Sequence, residues 1–134
     1  MHNNHSDLVV EVENLGISYK TRKGMVHAVR DVSFDISKGE TLGLVGESGC
    51  GKSTTAYGLI RYLGKNGRIS SGEIRFQGTS LIGRTAKELQ ALRGDRIAMV
   101  YQDPMTSLNP ALSIADQMTE VLTVHRDMNP NEAR

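Results

Sequence analysis

The sequence predicts an α/β protein in which an amino-terminal antiparallel β subdomain precedes a core of alternating strands and helices. Three observations favour this class. Apolar residues alternate with period two before residue 37, a short apolar segment runs directly into a glycine-rich loop, and an amphipathic helical pattern follows that loop. The chain has 134 residues, the size of one domain. We therefore expect residues 1–134 to form part of a single domain, with residues 1–7 as a disordered tail.

The composition limits the classes of function. Lys and Arg number 16 against 15 Asp and Glu, a net charge of +1, which argues against nucleic acid as the main partner. The longest apolar runs, such as Ile97 to Tyr101, are about five residues, far below the roughly 20 needed to cross a bilayer. The amino terminus lacks the basic start and apolar stretch of a secretory signal, so we expect a cytoplasmic protein.

The first strands are predicted from alternation. Leu8 to Asn14 alternates valine with glutamate, the pattern of a half-buried strand. Ala28 to Ile36 supplies β-branched and aromatic residues before the turn Ser37–Glu40, and we expect these two strands to pair antiparallel. The apolar segment Thr41–Val45 is typical of a strand buried on both faces of a parallel sheet.

Helical spacing follows the loop. Apolar residues recur at three and four positions from Lys52 to Leu63, which predicts a helix ended by Gly64. The residues that we expect to face inward are Ala56, Leu59, Ile60 and Leu63.

The second half of the chain repeats the alternation of strand and helix. We predict a strand at Glu73–Gly78, a short helix at Thr85–Leu92 with Leu89 and Leu92 inward, and a buried strand at Arg96–Tyr101. Ser113 then caps a helix. The inward residues of that helix are predicted to be Ile114, Met118, Val121 and Leu122.

The carboxyl end also carries a helix-start pattern. Asn129 followed by Pro130 is a good cap and first helical residue, yet only four residues follow. Because one turn does not make a stable helix, we expect these residues to open an element whose body is absent, as in a truncated domain.

The glycine-rich loop carries the main chemical signal. Gly46–Ser53 satisfies the pattern Gly-x-x-x-x-Gly-Lys-[Ser/Thr] between a predicted strand and a predicted helix, which indicates a P-loop of the RecA-like NTPase class. Its backbone N–H groups and the helix dipole would cradle phosphates, and Lys52 would reach the β and γ phosphates of ATP. The residues expected to hold the nucleotide are Gly46, Ser48, Gly49, Cys50, Gly51, Lys52, Ser53 and Thr54, with the Ser53 hydroxyl on Mg²⁺.

Two plainer interpretations of the loop stand beside this one. Glycine-rich strand-to-helix turns also occur without a ligand, but the strand and helix context favours phosphate binding. Cys50 is either a redox-sensitive thiol near a helix start or a variable position that contributes only its N–H group. The motif sets no demand at that position, which favours the second interpretation.

Beyond the P-loop, the sequence resembles the nucleotide-binding subunit of ABC transporters, in the branch that imports oligopeptides, dipeptides and nickel. The resemblance covers essentially the whole chain, through Tyr19, Val32–Phe34, Ser37–Glu40, Gly46–Thr54 and Tyr101–Pro110. It implies that Tyr19 stacks on adenine and that the Gln102 side chain reaches Mg²⁺ and the attacking water. It also implies that the segment after Gln102 faces a membrane-spanning permease subunit.

Each implied role has an alternative. Tyr19 could cover the edge of a small sheet, although aromatic rings suit base stacking. Gln102 could be an ordinary loop residue, but the end of a buried strand is where ligand sites of α/β proteins gather. Asp103 resembles a Mg²⁺-binding acid at a strand end, and we reject that role because Gln102 intervenes.

The resemblance further implies motifs that this sequence does not contain: a Leu-Ser-Gly-Gly-Gln signature, an apolar strand ending in Asp-Glu, and a switch histidine. Without the Asp-Glu pair, ATP hydrolysis lacks its general base, so we expect binding without turnover. The Asp-Glu strand normally lies beside the P-loop strand, so its absence would leave an unpaired edge.

The leading hypothesis is therefore part of an ATPase subunit that powers peptide or nickel import from the cytoplasmic face of the inner membrane. The implied partners are permease subunits, a second ATP-binding subunit and, indirectly, an extracytoplasmic substrate-binding protein. The alternatives are a fragment of a soluble ABC ATPase that does not transport, or a remnant that binds nothing.

Overall fold

The computed structural model describes residues 7–103, 107–126, 128–129 and 131–133, so only Asp7 of the predicted tail is described. The residues group into two compact units, Met1–Thr85 and Ala86–Arg134. The described elements of the first unit are β1 (Leu8–Thr21), β2 (Gly24–Ser37), α1 (Lys52–Leu59), β3 (Gly67–Phe76) and β4 (Thr79–Ser80). Those of the second are α2 (Ala86–Leu92) and α3 (Ile114–Arg126).

The sheet of the first unit has the order β2-β1-β3-β4, and every neighbouring pair is antiparallel. The predicted antiparallel pairing of the first two strands is confirmed, but both strands are longer than predicted. β1 continues past Asn14 to a tight hairpin turn, where the Thr21 hydroxyl accepts the N–H of Lys23 (3.2 Å) and donates to the carbonyl of Gly24 (2.8 Å). These side-chain bonds close a turn that the alternation pattern alone does not reveal.

Three adjacent strands bend at the same level. Asn14 in β1, Asp31 in β2 and Gly72 in β3 all have positive φ angles, of 47°, 52° and 84°. The register of β1 shifts here against both neighbours, and Asn14 Nδ2 donates to Asp31 Oδ1 at 2.7 Å. We call this row the bulge line, and it separates the amino-terminal end of β1 from the hairpin end.

The core of the first unit lies on the face of the sheet that contacts α1. Leu15 and Ile17 are fully buried, and a Cβ atom on Gly58 of α1 would lie 2.6 Å from Ile17 Cδ1. The helix is therefore close to the sheet at its smallest residue. Other buried apolar residues of this unit are Val12, Val29, Ile74 and Leu81.

Helix α1 is shorter than predicted and buries a different face. It ends at Leu59 rather than Leu63, because Arg61 takes a left-handed conformation with φ 56° and the N–H of Tyr62 bonds back to the carbonyl of Tyr57 at 2.8 Å. The fully buried helical residues are Thr55 and Gly58, whereas the predicted Ala56, Leu59, Ile60 and Leu63 are half-buried. Small residues allow the close approach that the larger apolar side chains would prevent.

The prediction of two buried strands, at Thr41–Val45 and Arg96–Tyr101, was wrong in this structure. Residues 41–47 and 98–101 form no regular strand, and Arg93 and Ile97 make only an isolated parallel bridge. Val45 is 93% exposed and Val100 is 91% exposed. A parallel strand is defined by its hydrogen-bonded neighbours, and no described strand lies alongside either segment.

In the second unit, α2 begins at Ala86 and buries Leu89 as predicted, while Leu92 is half-buried. Ser113 caps α3 as predicted, because its Oγ accepts the N–H of Asp116 at 3.1 Å. The predicted inward face of α3 was wrong: Ile114, Met118, Val121 and Leu122 are all exposed, Met118 at 66%. Helical periodicity identifies an apolar face but not the surface that covers it.

The second unit also contains a helix-start turn and an ion pair between Arg126 and Asp95. Asn129 Oδ1 accepts the N–H groups of Asn131 and Glu132, both at 3.0 Å, as its predicted capping role requires, while Pro130 lies outside the described residues. Arg126 pairs with Asp95 at 2.9 Å. No helix in the described residues has both the length and the apolar character needed to cross a membrane.

The bulge line generates the first testable prediction. Gly72→Ala should destabilise the sheet, because a Cβ atom there overlaps the carbonyl oxygens of Glu13 and Asn14 and the backbone is left-handed. Gly78→Ala is the matched control, since Gly78 has φ 73° with no atom near its Cβ position. We expect the control to cost about 1–2 kcal/mol and Gly72→Ala roughly 1–3 kcal/mol more, measured by urea unfolding. Equal losses would show that Gly72 supplies only backbone freedom.

Candidate nucleotide-binding site

The P-loop is held against the sheet by one close backbone contact. Gly51 has φ 99°, and a Cβ atom at this residue would lie 2.6 Å from the carbonyl oxygen of Ala28 and 3.4 Å from Val29 Cγ2. Glycine is therefore required at this position both for conformation and for space. The contact fixes the last residue of the loop, directly before α1, against β2.

Ala28 is available for this contact because β2 bulges there. Val29 lies opposite Ile17 and His27 lies opposite Ser18, so Ala28 falls between two consecutive cross-strand pairs. No sequence motif marks Ala28, and the role of this residue was not predicted.

A buried threonine fixes the same corner from the helix side. The N–H of Thr55 bonds to the carbonyl of Gly51 at 2.8 Å, and the Thr55 hydroxyl donates to the same oxygen at 3.0 Å. Thr55 is buried, unlike Ser53, which is exposed, and Thr54, which is half-buried. The hydroxyls of Ser53 and Thr54, which are predicted to contact the nucleotide or its metal, are thus more accessible to solvent than the Thr55 hydroxyl, which supports the loop.

The Lys52 ammonium lies inside the curve of the loop. Its Nζ donates to the carbonyl oxygens of Gly46 and Glu47, both at 2.7 Å, and lies 3.7 Å from Cys50 Sγ. The charge therefore lies where the predicted phosphates would bind. Its present partners are two neutral carbonyls and a weak sulfur acceptor, so a phosphate group would be a stronger acceptor for the same donor.

Several N–H groups of the loop are available to a ligand. Cys50 N–H bonds to the Glu47 carbonyl at 3.3 Å, whereas in the described part of the chain the N–H groups of Ser48, Gly49 and Gly51 have no protein acceptor. Helix α1 starts here without a side-chain cap and without an acidic residue in its first turn. The positive end of its dipole is therefore uncompensated, which suits an anion.

A cavity of about 390 Å³ lies between β2 and the loop. Its walls include Ala28 and Val29 from β2, Leu44 from the segment before the loop, and Cys50 and Lys52 from the loop itself. The cavity therefore has apolar walls and a charged group, the Lys52 ammonium, a combination typical of ligand sites.

The donor set fits a nucleotide triphosphate with its magnesium ion. Glycine stands at residue 51, where a Cβ atom would collide with the Ala28 carbonyl. In the described residues the loop also holds N–H groups without a protein acceptor and the Lys52 ammonium, and the Ser53 hydroxyl is exposed at the helix start. These groups donate hydrogen bonds to anionic oxygens, and the hydroxyl oxygen is a hard ligand of the kind that Mg²⁺ takes.

Tyr19 lies at the same end of the sheet as the P-loop. It pairs with Val26 of β2, two residues before Ala28, and with Gly67 of β3. A Cβ atom on Gly67 would lie 2.7 Å from Tyr19 Cε1, so the ring lies across β3 and remains half-exposed. β4 pairs with β3 only at Arg75 and Phe76, so β3 is the edge strand beside Tyr19, and the ring lies against that edge.

Gln102 belongs to the second compact unit, where it is exposed beside Tyr101 and Asp103. Residues 104–106 of the predicted permease-facing segment lie outside the described residues, and Ser107 to Pro110 are exposed. The structure thus places Tyr19 and the P-loop together in the first unit and Gln102 in the second.

Comparison with known proteins is consistent with this geometry. The sequence profile of the family described as ABC transporter matches residues 29–134. The oligopeptide transport ATP-binding protein OppD of Salmonella typhimurium is 44% identical over 128 residues, which is 96% of this chain and 38% of that protein. The dipeptide transport ATP-binding protein DppD of Bacillus subtilis is 45% identical over 127 residues, 94% of this chain and 38% of that protein. The chain therefore spans less than half the length of these relatives.

Solved structures give the same result for the fold. The ATP-binding cassette MJ0796, in a dimeric post-hydrolysis state bound to ADP and Pi, superposes with a TM-score of 0.76 at 26% identity. The match covers 92% of this chain and 52% of that one. The predicted fold class, a P-loop core with an amino-terminal antiparallel sheet, is thus confirmed.

The contact between the loop and β2 generates the second prediction. Gly51→Ala should displace the loop from Ala28 and break the bonds from Thr55, so the Thr55 amide should lose most of its protection from hydrogen exchange. Gly49→Ala is the control, because Gly49 has φ 81° but no neighbour within 4 Å of its Cβ position. Retained Thr55 protection in Gly51→Ala, measured by NMR hydrogen exchange, would contradict the structural role of this contact.

Proposed function

The chain belongs to the ABC transporter family, and from this premise we propose that it binds MgATP as part of the ATP-binding subunit of a peptide importer. The observation that carries the proposal is the P-loop itself: in the described residues, N–H groups without a protein acceptor and the Lys52 ammonium lie in one loop at the start of α1. The names of the relatives, which refer to oligopeptide and dipeptide transport, support peptide as the cargo class.

The chain's own groups would act on the triphosphate in two ways. Lys52 Nζ exchanges its bonds with the carbonyls of Gly46 and Glu47 for bonds to phosphate oxygens, which as charge-assisted bonds are about twice as strong as neutral ones. The loop N–H groups orient the remaining oxygens without any change of charge. When bound, Mg²⁺ neutralises charge on the phosphates as a Lewis acid, and the Ser53 hydroxyl is the group of the first unit that is proposed to hold it.

Tyr19 is proposed to hold the adenine ring. Tyr19 lies opposite Val26 of β2, and Ala28, the residue of β2 that contacts the P-loop, is two residues further along that strand. The Tyr19 ring is half-exposed. A strand rises about 3.3 Å per residue, so this offset is roughly 7 Å along the strand, within the span of a nucleotide. An aromatic face at that distance suits stacking on a base.

In the assembled importer, the segment after Gln102 is proposed to face the permease subunits at the cytoplasmic side of the membrane. A second ATP-binding subunit would complete each nucleotide site, and a substrate-binding protein would act indirectly through the permease. The role that we assign to this chain is binding of the nucleotide phosphates through Lys52 and the loop N–H groups.

The central test is removal of the Lys52 ammonium. Lys52→Ala should weaken MgATP binding about 10- to 100-fold, because a hydrogen bond to a charged group contributes roughly 1.5–3 kcal/mol. Lys38→Ala, at an exposed turn beyond the other end of β2, is the control and should bind as the wild type does. Isothermal titration calorimetry with MgATP measures both, and unchanged affinity in Lys52→Ala would refute the proposal.

A separate test addresses Tyr19. Tyr19→Ala should weaken ATP binding about tenfold, since stacking of a base on an aromatic side chain contributes roughly 1–3 kcal/mol, whereas Tyr19→Phe should retain wild-type affinity. Inorganic tripolyphosphate has no base, so its binding should be equal in all three proteins. If Tyr19→Ala weakens tripolyphosphate as much as ATP, the ring supports the fold of the site rather than the base.

A further inference from the structure

Half of the basic residues of the chain lie in two segments that contain no carboxylate. Residues 15–30 and 48–72 together hold eight of the 16 Lys and Arg, and all 15 Asp and Glu lie elsewhere. The net charge of +1 for the whole chain therefore conceals a strong division of charge. Both segments belong to the first compact unit.

The sheet brings the two segments to one end. Lys20 N–H donates to the carbonyl of Asn66 at 2.9 Å, which joins the loop before β3 to the hairpin, and Arg68 lies opposite Ser18. We call this surface the basic end, and its exposed cations are Lys20, Arg22, Lys23, Lys65 and Arg68. In the described part of the chain, none of these five forms an ion pair with a carboxylate.

The other end of the sheet is different. Arg75 donates to Glu13 at 2.9 Å and lies 4.0 Å from Glu11. The bond and charge of Glu13 raise the pKa of Arg75. The charge of Arg75 is thus neutralised by neighbouring carboxylates, whereas the positive charges of the basic end have no carboxylate partner in the described residues. The acidic residues that border the two basic segments are Glu13, Asp31, Glu47 and Glu73.

The basic end is close to the P-loop along β2. Lys20 lies opposite Met25, three residues before Ala28, which is about 10 Å at roughly 3.3 Å per residue. Lys23 lies five residues before Ala28, about 17 Å on the same scale. At these separations Lys20 and Lys23 cannot contact phosphates that are bound to Lys52. Their positive charges can still attract those phosphates electrostatically.

We propose that the basic end attracts the nucleotide triphosphate electrostatically and raises its rate of association with the P-loop, an inference that rests on the proposed MgATP binding. The screening length is about 30 Å at 0.01 M ionic strength and about 8 Å at 0.15 M. The cations therefore act on an approaching polyanion at low salt and are largely screened at 0.15 M. Charges that steer an encounter change the association rate and leave the dissociation rate unaffected.

A pair of charge reversals tests this inference. Lys23→Glu and Lys38→Glu change the net charge equally, but Lys38 lies ten residues beyond Ala28, in the turn past the opposite end of β2 from Lys23. Stopped-flow binding of the fluorescent analogue mant-ATP with Mg²⁺ gives both rate constants. At 0.01 M ionic strength, Lys23→Glu should lower the association rate about three- to tenfold more than Lys38→Glu, with dissociation unchanged. The difference should disappear at 0.15 M.

Each other outcome overturns the inference in a recognisable way. Equal association rates in the two variants would mean that only net charge matters, and a faster dissociation in Lys23→Glu would mean direct contact with the bound nucleotide. If Lys23→Glu instead loses binding to phosphatidylglycerol vesicles and keeps its association rate, the basic end serves a lipid surface. If the wild-type chain does not bind mant-ATP, the proposed function fails first. Circular dichroism of both variants verifies folding.

Discussion

The approach of the Ala28 carbonyl to Gly51 is the contact on which the candidate site depends. It requires a bulge in β2, a glycine in a left-handed conformation and a buried Thr55 that bonds to the Gly51 carbonyl. These conditions fix the start of α1, whose first N–H groups have no partner within the helix. The antiparallel sheet thus serves as the base against which a phosphate-binding loop is held.

Lys52 shows how the loop keeps its own charge in place. An exposed ammonium on a flexible stem would otherwise sample many positions, at an entropic cost on binding. Here two carbonyls of the loop hold it at 2.7 Å each. The loop that carries the lysine thus also supplies the carbonyl oxygens that hold its ammonium in place.

Much of the site could be predicted from sequence because the P-loop is a local pattern whose function follows from backbone and spacing. The antiparallel strands could also be predicted, since alternation along Val10 and Val12 reflects one buried face. The segments at 41–45 and 96–101 could not, because a parallel strand exists only with neighbours that its own sequence does not encode. The prediction of the most deeply buried residues of α1 failed for a related reason. The helix approaches Ile17 so closely that glycine at residue 58 fits where a larger apolar side chain would not.

The bulge line has a consequence for how the sheet tolerates changes in length. Side chains alternate between the two faces of a sheet. Deleting one residue from a regular strand therefore moves every side chain beyond the deletion to the opposite face. Asn14, Asp31 and Gly72 each already interrupt that alternation, and they do so side by side. A deletion in any one of these strands would leave the other two mismatched at this row. Loss of a single codon here should therefore be tolerated less well than loss of one in the hairpin tip.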